Sequence, residues 1–251
     1  MDQKAPCSIR PYRPSDRTSV ASLFRVGVLE HIYPAFFKAV GHPDHLGVTL
    51  SVSVAGYVLG GSSYFQALLF GATWAGVVYY CCREIYRGYL ERKLGREMAD
   101  VETLFLENPD NNLWVAEVEV SGRSKVTGVV AVLAQRVSGE EGAENGWADA
   151  DGLIAGEEEE DGGYGEVFFI VVSYHQRRRG VGRQLVQTAM DFCKEQRLPR
   201  LVLDVSSPQT AALALCRKLG FVQTCSHGNT HANRWVTRLA RVSVLRMEKL
   251  V

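Results

Sequence analysis

Hydrophobic and polar positions alternate in short stretches along most of this 251-residue chain, with one long apolar interruption near its start. Ile9 to Tyr12 has the pattern of a short strand. Pro14-Ser15-Asp16 then opens a helix with apolar positions at Val20, Leu23 and Phe24. From Leu46 to Cys82 no residue is charged. A spanning helix needs roughly 20 apolar residues, so this run has room for one span or a tight hairpin. Gly60-Gly61-Ser62-Ser63 breaks it near the middle, as a turn would. The soluble alternative is a pair of helices buried in a core.

Beyond the run, Arg83 to Leu106 reads as an amphipathic helix. Leu113 to Val120 and Val126 to Ala134 are rich in β-branched residues, and Ser121-Gly122-Arg123 between them predicts a hairpin. A strand (Glu166 to Val172), a helix (Gly182 to about Gln196) and a second strand (Leu201 to Val205) follow. Then come a helix from Thr210 to Leu219, a strand from Phe221 to Cys225 and a last strand from Val242 to Met247. Without the apolar run, this order predicts an α+β domain around one mixed sheet. Residues 1–45 supply the first strand and helix, 46–82 the insertion, and 83–251 the remainder.

Charge refines this picture. The 28 basic and 28 acidic residues balance, yet the segment Gly139 to Asp161 is acidic throughout and lacks Lys and Arg. Its acids are Glu140, Glu141, Glu144, Asp149, Asp151, Glu157 to Glu160 and Asp161. The rest of the chain therefore carries about +10, which suits an anionic ligand or a membrane surface. The acidic segment reads as a mobile loop, since it lacks the ligand spacing of an EF-hand. The six cysteines show no ligand spacing, so no metal site is expected, and their scatter suits a reducing compartment. No cleavable signal peptide is apparent, and no nucleic-acid partner is expected.

Two stretches carry chemistry. In Val171-Val172-Ser173-Tyr174-His175-Gln176-Arg177-Arg178-Arg179-Gly180-Val181-Gly182, a hydrophobic strand leads through a basic, glycine-containing turn into a helix. Glycines let a ligand approach the backbone closely. The first N–H groups of a helix lack intrahelical partners, so with its dipole and three arginines the turn suits a diphosphate. It is neither a Rossmann fingerprint nor a P-loop. The second stretch, Gln209-Thr210-Ala211-Ala212-Leu213-Ala214-Leu215-Cys216-Arg217-Lys218-Leu219-Gly220-Phe221, is a helix with one apolar face and a glycine stop.

In this order the two stretches resemble the GNAT acetyltransferase superfamily. Arg177 to Gly182 matches its Q/R-x-x-G-x-G/A acetyl-CoA motif at every defined position. Gln209 to Phe221 resembles its N-x-x-A-x-x-L-Y-x-x-x-G-F segment through Ala212, Leu215, Gly220 and Phe221. The fold implied is the GNAT (acyl-CoA N-acyltransferase) fold, with a hydrophobic membrane hairpin inserted after its first helix. By the same resemblance Ile170, Val171 and Val172 line the pantetheine arm of acetyl-CoA. Arg177, Arg178, Arg179, Gly180, Val181, Gly182 and Arg183 hold its phosphates, and Gln209 stands for the family asparagine. The insertion, Met98 to Val101 and Leu113-Trp114-Val115-Ala116 look like the camello-like, or N-acetyltransferase 8-like, group. Members of that group acetylate amines at endoplasmic reticulum membranes, with cysteine S-conjugates and protein lysines among the acceptor classes, and a related branch uses aspartate.

The resemblance thus implies direct acetyl transfer to a small-molecule or protein primary amine, with no metal. A backbone N–H near Val172 would polarise the carbonyl. The catalytic domain would lie on the cytosolic face of the endoplasmic reticulum membrane. The family tyrosine that protonates the leaving thiolate is Cys216 here. An unperturbed thiol near ~8.5 is a stronger acid than a phenol near ~10, so Cys216 is a candidate donor or a packed apolar residue. Glu166, which leads into the acetyl-CoA turn, is the candidate base or a solvated strand-end carboxylate. His31, in Glu30-His31-Ile32, follows the first helix, near where the resemblance puts the acceptor site, though a lone histidine is more often structural. His227 and His231 sit in the loop before the last strand, with no partner visible in sequence. Two rival readings are a degenerate acetyl-CoA- or partner-binding module and a histone acetyltransferase.

Overall fold

The computed structural model describes residues 7–97, 101, 103–120, 122–135 and 163–251. The acidic segment and Met98 to Asp100 lie outside the described residues. Seven strands form one sheet in the order β1-β2-β3-β4-β5-β7-β6. They are β1 (Cys7–Pro11), β2 (Asn112–Val120), β3 (Arg123–Gln135), β4 (Tyr164–Val172), β5 (Arg200–Ser206), β6 (Val222–His227) and β7 (Val244–Leu250). Only β4 and β5 pair in parallel; the other neighbours are antiparallel. The expected mixed sheet and the β2–β3 hairpin are both present, with Gly122 in the left-handed region at φ 74°.

Helices cover both faces. On one lie α1 (Arg17–Leu29), α2 (Ile32–Val40), part of α4 (Tyr64–Arg92) and α7 (Arg234–Ala240). On the other lie α5 (Val181–Glu195) and α6 (Thr210–Lys218). β4 contributes to both sides, but out of period: Val167 joins the α5 side, whereas Phe169, two residues on, joins the α1 side, where strict alternation would keep both on one face. Between them Val167 pairs with Val132 and Phe169 with Ala131. Phe168 is therefore an extra residue, a bulge that bends β4 and increases its twist.

The apolar run forms α3 (Pro43–Leu59) and the first part of α4, which pack along each other about a turn at Gly60–Ser63. Its end at Cys82 is not a helix boundary. The expected helix from Arg83 to Leu106 is instead the continuation of α4 to Arg92, followed by wide helical turns at Lys93–Glu97 and Thr103–Glu107. Nothing at Cys82 breaks the backbone, and a buried stripe of Val78, Cys81, Cys82, Ile85 and Leu90 runs through it at helical spacing. Three further expectations are corrected. Short helices α2 and α7 stand where no element was read, His227 ends β6 rather than lying in a loop, and the last strand runs to Leu250.

Gly27 of α1 is required by packing. A Cβ there would meet Val171 Cγ1 at 2.4 Å, inside any real contact distance. The absence of a side chain lets α1 lie directly on the end of β4.

Candidate active site

Pairing between β4 and β5 is confined to Gly165–Val167 with Leu201–Leu203. Past the bulge the strands part, while β3 continues to pair with β4 as far as Val172. Ile170, Val171 and Val172 thus present a half-buried strand edge on the β5 side. Such an edge can add an extended chain through main-chain hydrogen bonds.

The basic turn lies at the open end of this notch. Arg178 (φ 63°) and Gly180 (φ 89°) both adopt the left-handed region, a strained choice for arginine and a free one for glycine. α5 begins at Val181, and its first internal bond runs from the Gln184 N–H to the Gly180 carbonyl at 3.1 Å. The N–H groups of Val181, Gly182 and Arg183 therefore have no acceptor within the helix. Arg178, Arg179 and Arg183 are exposed around them. Arg177 differs: its Nε donates to the Val172 carbonyl at 3.0 Å, and its guanidinium pairs with Glu30. Gln209 sits at the β5–α6 turn, where its side-chain oxygen accepts the Ser206 N–H at 3.2 Å.

Cys216 lies on α6 across from α5 and is 4% exposed, in the cluster that includes Leu213, Val205 and Phe221. Burial pushes its thiol up to about 11. A thiol so raised has lost its acid advantage over a phenol near ~10. Cys216→Ala is accordingly expected to keep kcat within about twofold and to cost about 1 kcal/mol of stability, as loss of a small buried group does. Steady-state kinetics and a thermal melt check this. A hundredfold fall in kcat without loss of fold would make Cys216 the proton donor.

On the face opposite α5, polar side chains gather below the point where the strands part. Glu166 is largely buried and accepts a hydrogen bond from Gln135 Nε2 at 3.2 Å. Burial raises its carboxyl above the usual range, the Asp204 charge adds to this, and Lys93 and Arg246 oppose it. Asp204, on β5, is raised by burial too, against Arg246, His227 and Lys93. Its Oδ1 is buried with no hydrogen-bond partner among the described residues. Arg246 is the cross-strand neighbour of Asp204 on β7. Lys93, at the end of α4, is buried with its ammonium 3.5 Å from the Phe168 ring centre. Two carboxylates whose affinity for protons is raised by burial, beside two cations, suit the capture of a proton.

Residues 79–221 match the model of the Acetyltransferase (GNAT) family. The chain belongs to the GNAT acetyltransferase family. It is an N-acetyltransferase that uses acetyl-CoA, and the mixed sheet described above is the fold of that family. It is 30% identical to N-acetyltransferase family 8 member 3 of Rattus norvegicus over 92% of this chain and 90% of that protein. It is 27% identical to N-acetyltransferase 8 of Homo sapiens over 88% of this chain and 86% of that one. Among solved structures, Arabidopsis thaliana NAA60 with a bisubstrate analogue is similar at a TM-score of 0.49 and 13% identity, covering 98% of each chain.

Placed on this GNAT frame, Ile170 to Val172 and Gly180 to Arg183 come together around the notch, and Glu166 lies below it on the other face. His31 is mostly buried between α1 and α2, and burial lowers its pKa against the neighbouring Glu30 charge. His231 accepts the Asn233 N–H at 2.9 Å in the turn before α7. Asp204, Arg246, Lys93 and Glu30 complete the polar groups and were not singled out from sequence. One signal for Asp204 was available: it is the single charged position inside Leu201 to Val205.

Proposed function

We propose that the chain is a membrane-held acetyltransferase that passes acetyl from acetyl-CoA directly to a primary amine, with cysteine S-conjugates and protein lysines as acceptor classes. The observation that carries this reading is the Glu166–Asp204 pair beside the notch. Acetyl-CoA suits the residues present: the open edge of Ile170 to Val172 can take the pantetheine arm. The free N–H groups of α5, with Arg178, Arg179 and Arg183, can take the diphosphate. The amine enters from the opposite face, gives its extra proton to Glu166, and attacks the thioester carbonyl. A backbone N–H at the end of β4 stabilises the oxyanion, the C–N bond forms, and the C–S bond breaks. The nitrogen loses its second proton to solvent as the amide forms, and the leaving thiolate takes a proton from solvent in exchange. Membrane attachment rests on the helix at Tyr64–Gly95, long and apolar enough to cross a bilayer, and on similarity to the N-acetyltransferase 8 group. The location proposed is the endoplasmic reticulum, with the catalytic domain on the cytosolic face.

The test is CoA release over a panel of cysteine S-conjugates, lysine peptides, aspartate and polyamines. Glu166→Gln is expected to lower kcat roughly a hundredfold, the scale of a lost general base. The pH profile gives the sign. The base works ionised, and burial raises its pKa, so kcat/KM falls with acid from a pH above the ordinary carboxylate range. The apparent pKa belongs to the pair, so Asp204→Asn shifts this limb downward and Glu166→Gln removes it. Acetyl-CoA binding with no CoA release from any amine would leave a binding module in its place.

A further inference from the structure

We infer that the corner between α1 and α2 roofs the notch, and that the Arg177–Glu30 ion pair is the latch that holds it there. Arg177 is then a positioning residue for the acceptor site rather than a diphosphate ligand. This rests on the acetyltransferase reading above.

The corner reaches both walls of the notch, the β4 wall directly and the β5 wall through Tyr86 of α4. On the β4 side, Gly27 lies so close to Val171 that a Cβ would stand 2.4 Å from its Cγ1. One turn later Glu30 pairs with Arg177, which also holds the Val172 carbonyl at 3.0 Å. On the β5 side, the His31 ring lies 6.3 Å from that of Tyr86, and the Tyr86 hydroxyl is 3.1 Å from Ser206 Oγ at the end of β5. His31 Nε2 is in turn 3.5 Å from Glu30 Oε1. A chain of contacts therefore runs from the end of β4, through Glu30 and His31, to the end of β5. It crosses the notch on the face where Glu166 and Asp204 lie.

Three of the four arginines of the turn are exposed, and the fourth is committed to α1. Two of its five N–H donors are committed, one to the Val172 carbonyl and one to the Glu30 carboxylate, and these fix where the guanidinium lies and offset its charge. What it does instead is tie the acetyl-CoA turn to the corner that faces the acceptor. Side-chain positioning of this kind affects how the amine is presented, and misplacement by about 1 Å can cost a hundredfold in rate.

The test is Glu30→Gln, with Arg177→Gln and the double variant, measured for acetyl-CoA affinity by calorimetry and for amine kinetics. The expected result is a roughly ten- to hundredfold fall in kcat/KM for the amine, mainly in KM. Acetyl-CoA Kd should stay within twofold in Glu30→Gln. The double variant should be no worse than either single one, because both remove the same latch. Amide exchange over residues 27–33 should quicken in Glu30→Gln, a readout independent of turnover. Unchanged amine KM with unchanged exchange would overturn the inference. So would a loss of acetyl-CoA affinity in Arg177→Gln that Glu30→Gln does not share, since that would make Arg177 a diphosphate ligand. A wild-type protein without acetyl-CoA-dependent turnover would instead defeat the functional reading on which this rests.

Discussion

Replacing Gly182 and Arg178 together by glutamate is expected to abolish acetyl-CoA binding while leaving the fold intact. Gly182 is the second residue of α5, where the free N–H groups and the helix dipole favour an anion. A glutamate there is good for the helix itself, because acidic side chains stabilise a first turn. Its backbone is not in the left-handed region, and the added Cβ meets Leu215 Cδ2 at 3.3 Å, the end of a side chain that can shift, and Val172 Cγ2 at an ordinary 3.8 Å. The variant should therefore fold. What it loses is the ligand. Each charged hydrogen bond to a phosphate is worth about 1.5–3 kcal/mol. Two introduced carboxylates remove such bonds and add repulsion, so Kd should rise by more than about a thousandfold. Calorimetry gives the affinity and a thermal melt gives the fold. Wild-type affinity in a folded double variant would remove the diphosphate from this turn.

The parts of the molecule that could be read from sequence are those set by local pattern. Richness in β-branched residues about a turn marked β2 and β3, and the two glycines after a hydrophobic strand marked the helix N-terminus. The turn at Gly60–Ser63 was visible because glycine pairs break helices. The extent of α4 was not visible, because the change at Cys82 is a change in what surrounds the helix, not in the helix. α2 escaped notice because Pro34 sits in its first turn, and α7 because seven residues carry little periodicity. The bulge at Phe168 is one extra residue in a period of two, which only the register with β3 reveals. The pairing of Asp204 with Arg246 depends likewise on the register of β5 with β7. Glu30 is 147 positions from Arg177, so no local signal could join them.

Converting Leu50, Val54, Phe65 and Leu68 to aspartate is expected to release the protein from membranes into the soluble fraction. These side chains are 67%, 62%, 72% and 71% exposed on α3 and α4, within an apolar surface that also includes Val58, Leu59 and Tyr64. A surface of this extent marks an interaction site, and the absence of charge from Leu46 to Cys82 points to lipid rather than protein. Each aspartate costs roughly 2.5–3.5 kcal/mol in hydrocarbon, so four exceed the binding that the remaining side chains supply. The depth of insertion follows from the packing. From Val78 onward the buried side of α4 belongs to the domain core, so only the part ahead of it projects, about 21 Å at 1.5 Å per residue. α3 has 17 residues, about 25 Å. Both fall short of the roughly 30 Å hydrocarbon core. The foot of α3 is fastened to the domain, since His42 and Asp44 both meet Arg241 beside α7. β1 precedes the insertion and pairs with β2, which follows it, so the chain must return to the side it left. A helical pair dipping into one leaflet satisfies all of these constraints, and its backbone is bonded within helices wherever lipid surrounds it. Arg83, Arg87 and Arg92 follow on α4, and the positive-inside rule puts them in the cytosol. On this proposed topology the acetyl-CoA turn and the carboxylate pair lie on that side. In sealed microsomes, protease should remove a tag from either end without detergent. Protection of both tags would place the domain in the lumen, and protection of one alone would require a full span that this sheet does not permit.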